Sequence, residues 1–291
     1  MMSDPSILFD GEIRLQTDFK INIQNRSFRY GDGLFETIKV SDGFPLFYRA
    51  HHSRLVRGLD ALGMLVPERF SFIYFKKFLL ELIQENEMRH GSIRVHAFRE
   101  GKGTYLPESS AFHWLAEVTS QTDSGFFDHT NHPYEIGLYT ALNKVANELA
   151  FFKSVNAQVY IMAALYAKQQ NLNNVVIQNT DGALIETIAE NLFVFTNGIV
   201  LFPPIGDGQV DGIMRGVIKK LLIWNNIPFA ERSLTVEDLL EAEECFLSNT
   251  MKGIQPVTKY KTKEYRTEFS NGLQLKLDER VSDILTNRHK H

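Results

Sequence analysis

Apolar residues recur along this chain with two different periods, and the two take turns. Phe35-Glu36-Thr37-Ile38-Lys39-Val40 steps between apolar and polar side chains, the period of a strand with one buried face, and then reaches Asp42-Gly43, a hairpin signal. Phe44 to Tyr48 supplies the returning strand. His51 to Leu65 places Leu55, Leu59 and Leu62 at helical spacing, and Phe70 to Asn86 gathers Phe75, Phe78, Leu79, Leu82 and Ile83 on one stripe. Alternation resumes at Ile93–Phe98 and, more weakly, at Trp114–Val118. Strands interleaved with amphipathic helices place the chain in the α/β class.

A polar interval, Thr119 to His132, breaks this order. It holds Gln121, Thr122, Asp123, Ser124, Gly125 and the pair His129/His132, and reads as a linker. We therefore expect a smaller α/β domain over 1–118, a linker over 119–133 and a larger α/β domain over 134–291. In the second domain a helix is expected over Ser154–Gln170, with Val155, Val159, Met162 and Tyr166 on one face. Strands are expected over Asn174–Gln178, Asn191–Phe195 and Ile199–Phe202, the last two joined at Asn197-Gly198. Gly212 precedes a helix over Ile213–Trp224, Thr235 and Asp238 fit a capping box, and Cys245–Leu247 is a short strand.

Composition narrows the function. The 291 residues carry 31 Lys+Arg against 35 Asp+Glu, so no basic excess favours a nucleic-acid partner. The 22 Phe predict an aromatic core. A single cysteine, Cys245, excludes an intramolecular disulfide framework and a multi-cysteine metal site, and its apolar neighbours make it a core residue. No run is apolar enough to span a bilayer, and Met1 to Asp18 lacks a basic-then-apolar leader, so no membrane partner and a cytoplasmic location are expected. Adjacent His51 and His52 point different ways on a helix and do not make a metal site.

Three positions stand out, each with an ordinary reading beside it. Lys153 follows Phe151 and Phe152, an apolar setting that depresses an amine, yet most lysines are solvated. Glu186 alternates with Ile185 and Thr187, which by itself reads as the solvated face of a strand. Gly212 opens a helix, where backbone N–H groups and the helix dipole favour an anion, although most such starts bind nothing.

Together with other blocks, these positions form an ordered set. The blocks are Arg26-Ser27-Phe28-Arg29-Tyr30-Gly31-Asp32-Gly33-Leu34-Phe35-Glu36-Thr37, His51-His52-Ser53-Arg54-Leu55, Lys153-Ser154-Val155-Asn156, Asp181-Gly182 through Glu186 to Asn191-Leu192-Phe193, Gly212-Ile213-Met214-Arg215, and Ser248-Asn249-Thr250-Met251. In this order the chain resembles the class IV aminotransferases, the fold-type IV pyridoxal phosphate enzymes, from Ile7 to Val257. The resemblance implies two α/β domains, the larger binding the cofactor, in a homodimer. It implies that Lys153 forms the imine with pyridoxal 5'-phosphate and that Glu186 pairs with the pyridine nitrogen. Arg54, the amides of Ile213 and Met214, and Thr250 would hold the phosphate, with Asn191 also at the cofactor. Tyr30 and Thr37 match active-site positions. A neutral amine suits imine formation, a carboxylate keeps the ring nitrogen protonated, and a guanidinium with helix-start amides suits a phosphate dianion.

The family includes branched-chain aminotransferases, D-amino acid aminotransferases and 4-amino-4-deoxychorismate lyases. Branched-chain enzymes usually read Gly-Ile-Arg after the Phe-Glu pair, where this chain has Thr37-Ile38-Lys39. Asn249-Thr250-Met251 with Pro256-Val257, and Arg99-Glu100-Gly101-Lys102-Gly103-Thr104-Tyr105-Leu106-Pro107, look most like the lyase branch. The lyase is therefore the expected activity, against a branched-chain or D-amino acid aminotransferase and a non-catalytic binding module of the same fold. Arg94 and Arg99 lie in and just beyond a strand whose alternation aims one guanidinium at a substrate carboxylate, and Met251 joins them as a substrate-side position. Lys252-Gly253-Ile254 and Glu190 depart from the lyase pattern.

Overall fold

The computed structural model describes residues 4–121 and 132–288. Contacts divide these into two units: 4–121 with 152–156 and 287–288, and 132–151 with 157–286. Phe152–Asn156 thus joins the first unit, although the sequence reading had assigned it to a domain over 134–291. Of the expected linker, Thr119 and Ser120 end a strand, and 122–131, with Asp123, Ser124, Gly125 and His129, lie outside the described residues.

The first unit holds Ser6–Phe9 (β1), Glu12–Leu15 (β2), Arg26–Tyr30 (α1), Gly33–Ser41 (β3), Phe44–Pro45 (β4), Tyr48–Ala61 (α2), Phe72–Glu85 (α3), Gly91–Arg99 (β5) and Phe112–Ser120 (β6). The strands form one antiparallel sheet in the order β2-β1-β6-β5-β3-β4. Leu34, Ile38 and Val40 of β3 turn inward, as the alternation requires, and α2 packs on β3 with Leu55 and Leu59 buried. The returning strand is shorter than expected. Pro45 offers no N–H to a ladder, Phe47 adopts φ 54, and Tyr48 opens α2 instead. Phe70 stays outside α3, whose N-cap is Ser71, and packs with Phe75, Phe112 and Trp114, ring centroids 5.3–5.8 Å apart, while Phe78 packs on Trp114 at 5.7 Å. The expected aromatic core is here.

A charged knot ties the rim of this unit. Asp32 accepts from Arg26 Nε at 2.8 Å and from Arg99 Nε at 2.9 Å. Arg26 Nη1 donates on to the Thr104 carbonyl at 2.7 Å, and Arg99 Nη2 to the Leu62 carbonyl at 2.5 Å. All three side chains are buried or nearly so. Asp32→Ala should lower stability by about 3–5 kcal/mol, because it strands two buried guanidinium groups. The measurement is urea unfolding: the midpoint should fall with the slope unchanged. A midpoint within error of the wild type would remove the knot from the list of stabilising contacts.

The second unit holds Glu135–Lys144 (β7), Gln158–Gln169 (α4), Asn174–Asn179 (β8), Leu184–Thr187 (β9), Asn191–Thr196 (β10), Ile199–Phe202 (β11), Ile213–Trp224 (α5), Phe229–Glu231 (β12), Val236–Glu241 (α6), Glu244–Asn249 (β13), Gly253–Val257 (β14), Lys259–Tyr260 (β15), Lys263–Glu264 (β16) and Glu268–Thr286 (α7). Its mixed sheet runs β12-β11-β10-β9-β8-β7-β15-β16, with β13 branching from β10 and β14 beyond it. Val176, Leu184, Leu192, Val194 and Leu247 fill one core cluster. Thr235 and Asp238 form the expected capping box at α6. Helix α4 differs from expectation. It starts at Gln158, leaving Val155 outside, and buries Ala163 and Ala167 while Met162 is 46% exposed. Among the described residues no helix is long and apolar enough to cross a membrane.

Candidate functional site

In the first unit the candidate residues collect on β3, β5 and α2. Alternation puts Phe35 and Thr37 on one face of β3 and Glu36 on the other. Thr37 stands opposite Arg94 of β5, and Phe35 opposite His96. The Arg94 guanidinium lies 4.1 Å from the Phe35 ring centre and donates to His96 Nε2 at 3.0 Å. Burial, and then the charge of Arg94, push the His96 imidazole below its ordinary value.

Lys153 is held there by its backbone. Its carbonyl accepts the Phe35 N–H at 2.8 Å, Ser154 bridges to Leu34, and the Val155 N–H reaches the Gly33 carbonyl at 3.2 Å. The strand-like tether explains why α4 begins only at Gln158: these residues are committed to β3. The Lys153 amine consequently lies 4.8 Å from the Phe35 ring centre, on the same ring that carries Arg94. Tyr30 ends α1 beside Gly31, whose carbonyl accepts from Asn156 Nδ2 at 3.2 Å. Gly31 has φ 68, and a Cβ there would meet the Asn156 side chain at 2.2 Å, so only glycine fits.

The inner face of β3 carries a group that the sequence reading missed. The Glu36 carboxylate accepts from Arg54 Nε at 2.7 Å and Nη2 at 2.5 Å, and from His51 Nδ1 at 2.7 Å. All three side chains are buried. Burial alone would raise the Glu36 carboxyl; the fork from Arg54 and the His51 hydrogen bond overcome it and hold the carboxyl at about 2. His51 is pushed down, chiefly by burial, against the pull of Glu36, so it is neutral with Nδ1–H donating. Its Nε2 is buried without a hydrogen-bond partner. One signal was present in the sequence: an acid at an apolar phase of an alternating strand, between Leu34 and Ile38.

In the second unit Glu186 is buried, not on a solvated face. It accepts from Lys144 Nζ at 2.7 Å, the Tyr160 hydroxyl at 2.8 Å and the Val210 N–H at 3.0 Å. Burial, and then the Glu186 charge, drive the Tyr160 phenol far above its ordinary range. Asn191 pairs with Glu186 across β9 and β10, and its Nδ2 donates to the Val210 carbonyl at 3.4 Å. Two residues on, Gly212 is the N-cap of α5 and makes no side-chain cap bond. A Cβ on Gly212 would lie 1.8 Å from Asn191 Oδ1, so the close approach demands glycine. The amides of Ile213 and Met214 fall in the first turn, where no helical carbonyl precedes them. Ser248 of β13 stands opposite Asn191, which brings the Thr250-Met251 turn to the same end of the sheet.

The structure therefore groups Tyr30, Thr37, Arg54, Arg94 and Lys153 in one unit, and Glu186, Asn191, Ile213, Met214, Thr250 and Met251 in the other. Arg99 is set apart by the knot on Asp32. Within the second unit, an acid fixed by three donors suits a basic nitrogen and a glycine-lined helix start suits an anion; within the first, an amine lies on an aromatic ring.

Comparison with known proteins shows the family. Residues 33–260 match the family described as amino-transferase class IV. The D-alanine aminotransferase of Staphylococcus epidermidis is 26% identical over 257 residues, covering 87% of this chain and 88% of that protein. A putative branched-chain-amino-acid aminotransferase of Methanocaldococcus jannaschii is 24% identical over 281 residues, covering 96% of each. Among solved structures, a putative 4-amino-4-deoxychorismate lyase from Legionella pneumophila superposes with a TM-score of 0.83 at 25% identity, covering 91% of this chain and 96% of that one.

Proposed function

From the premise that the chain belongs to the class IV aminotransferases, a family of pyridoxal-phosphate-dependent enzymes, we propose that it is a 4-amino-4-deoxychorismate lyase releasing pyruvate and 4-aminobenzoate. The observation that carries this reading is the register of Thr37 against Arg94, on the face where Lys153 and Arg94 share the Phe35 ring. Thr37 thus shares its face of β3 with Phe35, the ring against which both cations lie. The superposition on a structure named as a putative lyase supports it.

Bound pyridoxal phosphate supplies the electron sink for carbanion chemistry. Lys153 would anchor it; Arg54, the Ile213 and Met214 amides and Thr250 would hold its phosphate, Asn191 shapes the Gly212 turn, and Glu186 would keep a proton on its ring nitrogen. Arg94 anchors a substrate carboxylate, with Met251 and Tyr30 beside the substrate. The Lys153 amine would take the proton from the carbon that bears the substrate amine. Thr37 gives a hydrogen bond to the ether oxygen of the departing group. That C–O bond breaks with its electron pair on oxygen, the ring becomes aromatic, and the released enolate takes a proton at carbon to become pyruvate. Assembly as a homodimer belongs to the same proposal.

A second reading, transamination of a D-amino acid, is favoured by the identity to D-alanine aminotransferases. The two part on one requirement: only a transaminase needs a keto acid to complete its cycle. We expect aminodeoxychorismate to yield pyruvate with no keto acid added, while D-alanine, leucine and valine convert the bound cofactor to its amine form slowly. Fast conversion by any of these amino acids, with no pyruvate from aminodeoxychorismate, would overturn the lyase and leave the family standing.

A further inference from the structure

Two departures from the lyase pattern, Glu190 and Lys252, lie 62 positions apart and meet in the structure. Lys252 Nζ donates to Glu190 Oε1 at 3.3 Å. The Glu190 side chain is 4% exposed and that of Lys252 is 44% exposed. Glu190 is anchored from behind: its Oε2 accepts from Asn174 Nδ2 at 2.7 Å and the Thr187 hydroxyl at 3.0 Å. In front, Oε1 also accepts from Asn249 Nδ2 at 3.3 Å. Asn249 passes the contact on, since its Oδ1 accepts the N–H of Met251 at 3.0 Å and of Lys252 at 2.8 Å.

Residues 250–252 are the loop of the β13–β14 hairpin, closed by Gly253 at φ 74. Hairpin closure alone leaves the loop hinged about the strand ends. The Glu190 carboxylate grips it twice, through Asn249 at its base and through Lys252 at its far end. That carboxylate belongs to the turn between β9 and β10, the strands that carry Glu186 and Asn191. Lys252 Nζ also lies 5.7 Å from the centre of the Tyr134 ring.

We propose that Glu190 and Lys252 form a latch that fixes the Thr250-Met251-Lys252 loop against the β9–β10 turn, and so sets the contact of Thr250 with the cofactor phosphate. They are positioning residues, and the inference rests on the role proposed for Thr250. It makes the two departures one feature: an acid at 190 calls for a cation at 252.

The test is pyridoxal phosphate titration of the cofactor-free protein, followed by absorbance, with Lys252→Met, Lys252→Arg, Glu190→Gln and the Glu190→Gln/Lys252→Met pair. Lys252→Met should weaken cofactor affinity about fivefold, as expected for one lost charged hydrogen bond at a half-exposed site, while Lys252→Arg should rescue it to within about twofold. The melting temperature of Lys252→Met should hold, which separates lost affinity from unfolding. The double variant should bind no more weakly than the weaker single variant, the mark of coupled residues. Wild-type affinity in both Lys252→Met and Glu190→Gln, or losses that simply add, would overturn the latch while leaving the function. Trapping with borohydride at Lys153 of the wild type reports separately on the function; if the wild type takes up no cofactor, both fall.

Discussion

Alanine at position 153 should give a folded protein that forms no covalent link to pyridoxal phosphate and turns over several orders of magnitude more slowly, because one amine serves as anchor and proton carrier. The fold should survive. What ties this segment to β3 is backbone: the Lys153 carbonyl on Phe35, the Ser154 bridge and the Val155 N–H. Alanine keeps all of these and removes only the amine lying over Phe35. In the wild type, borohydride reduction and peptide mapping should label Lys153. A label on Lys144, whose amine is committed to Glu186, would show that the roles had been assigned to the wrong lysine.

Removing the Glu36 carboxylate should destabilise the fold strongly. Glu36→Ala leaves Arg54 buried without its forked partner and His51 without its acceptor, for a loss of about 3–5 kcal/mol. Acid should reproduce part of that loss. The Glu36 carboxyl moves from 4.5 to about 2 on folding, which corresponds to roughly 3 kcal/mol. Because the folded value is the lower one, this stability is fully present above 4.5 and disappears as the pH falls from 4.5 towards 2. His51 acts in the same sense at higher pH. Its folded value is depressed, so the unfolded chain binds the proton first and stability declines as the pH drops below about 6.5. Urea midpoints at pH 7, 5 and 3 should fall in two stages for the wild type. Glu36→Gln should start lower and lose the second stage; a variant that retained it would place that acid sensitivity elsewhere.

Elements with a clean period were legible before the structure. Ile213–Trp224 and Ile199–Phe202 form with the expected ends, because glycine, proline and Asn-Gly punctuate them. Helix α7 was not legible, and its contacts say why. Its buried seam includes Ser270 and Gln274, which bond Glu244 and the Ile254 N–H, so an apolar stripe barely shows. The start of α4 was misplaced because a tether to β3, distant in sequence, overrides local helical preference. The site followed the same rule. Lys153, Glu186 and the Gly212 turn could be picked out by residue type and order. Lys144, Tyr160 and the pairing of 190 with 252 could not, and Glu36 showed only as an acid at an apolar phase of β3, since each takes its meaning from a partner that only the fold supplies.

Five residues, Phe152–Asn156, are counted with the unit that carries Phe35, Arg94 and Arg54, although the chain on both sides of them belongs to the other. Severing the polypeptide in the interval before residue 132 would therefore not yield a substrate half and a cofactor half. The leading fragment would keep the anchoring arginines but have no candidate amine. The trailing fragment would keep the amine with no β3 edge to seat it. Such a gene cannot be shuffled at its apparent joint: recombination there would exchange the Lys153 amine and its seat separately, and a hybrid would keep that seat only if both parents shared the Gly33–Phe35 edge and the Lys153–Val155 strip that zips onto it.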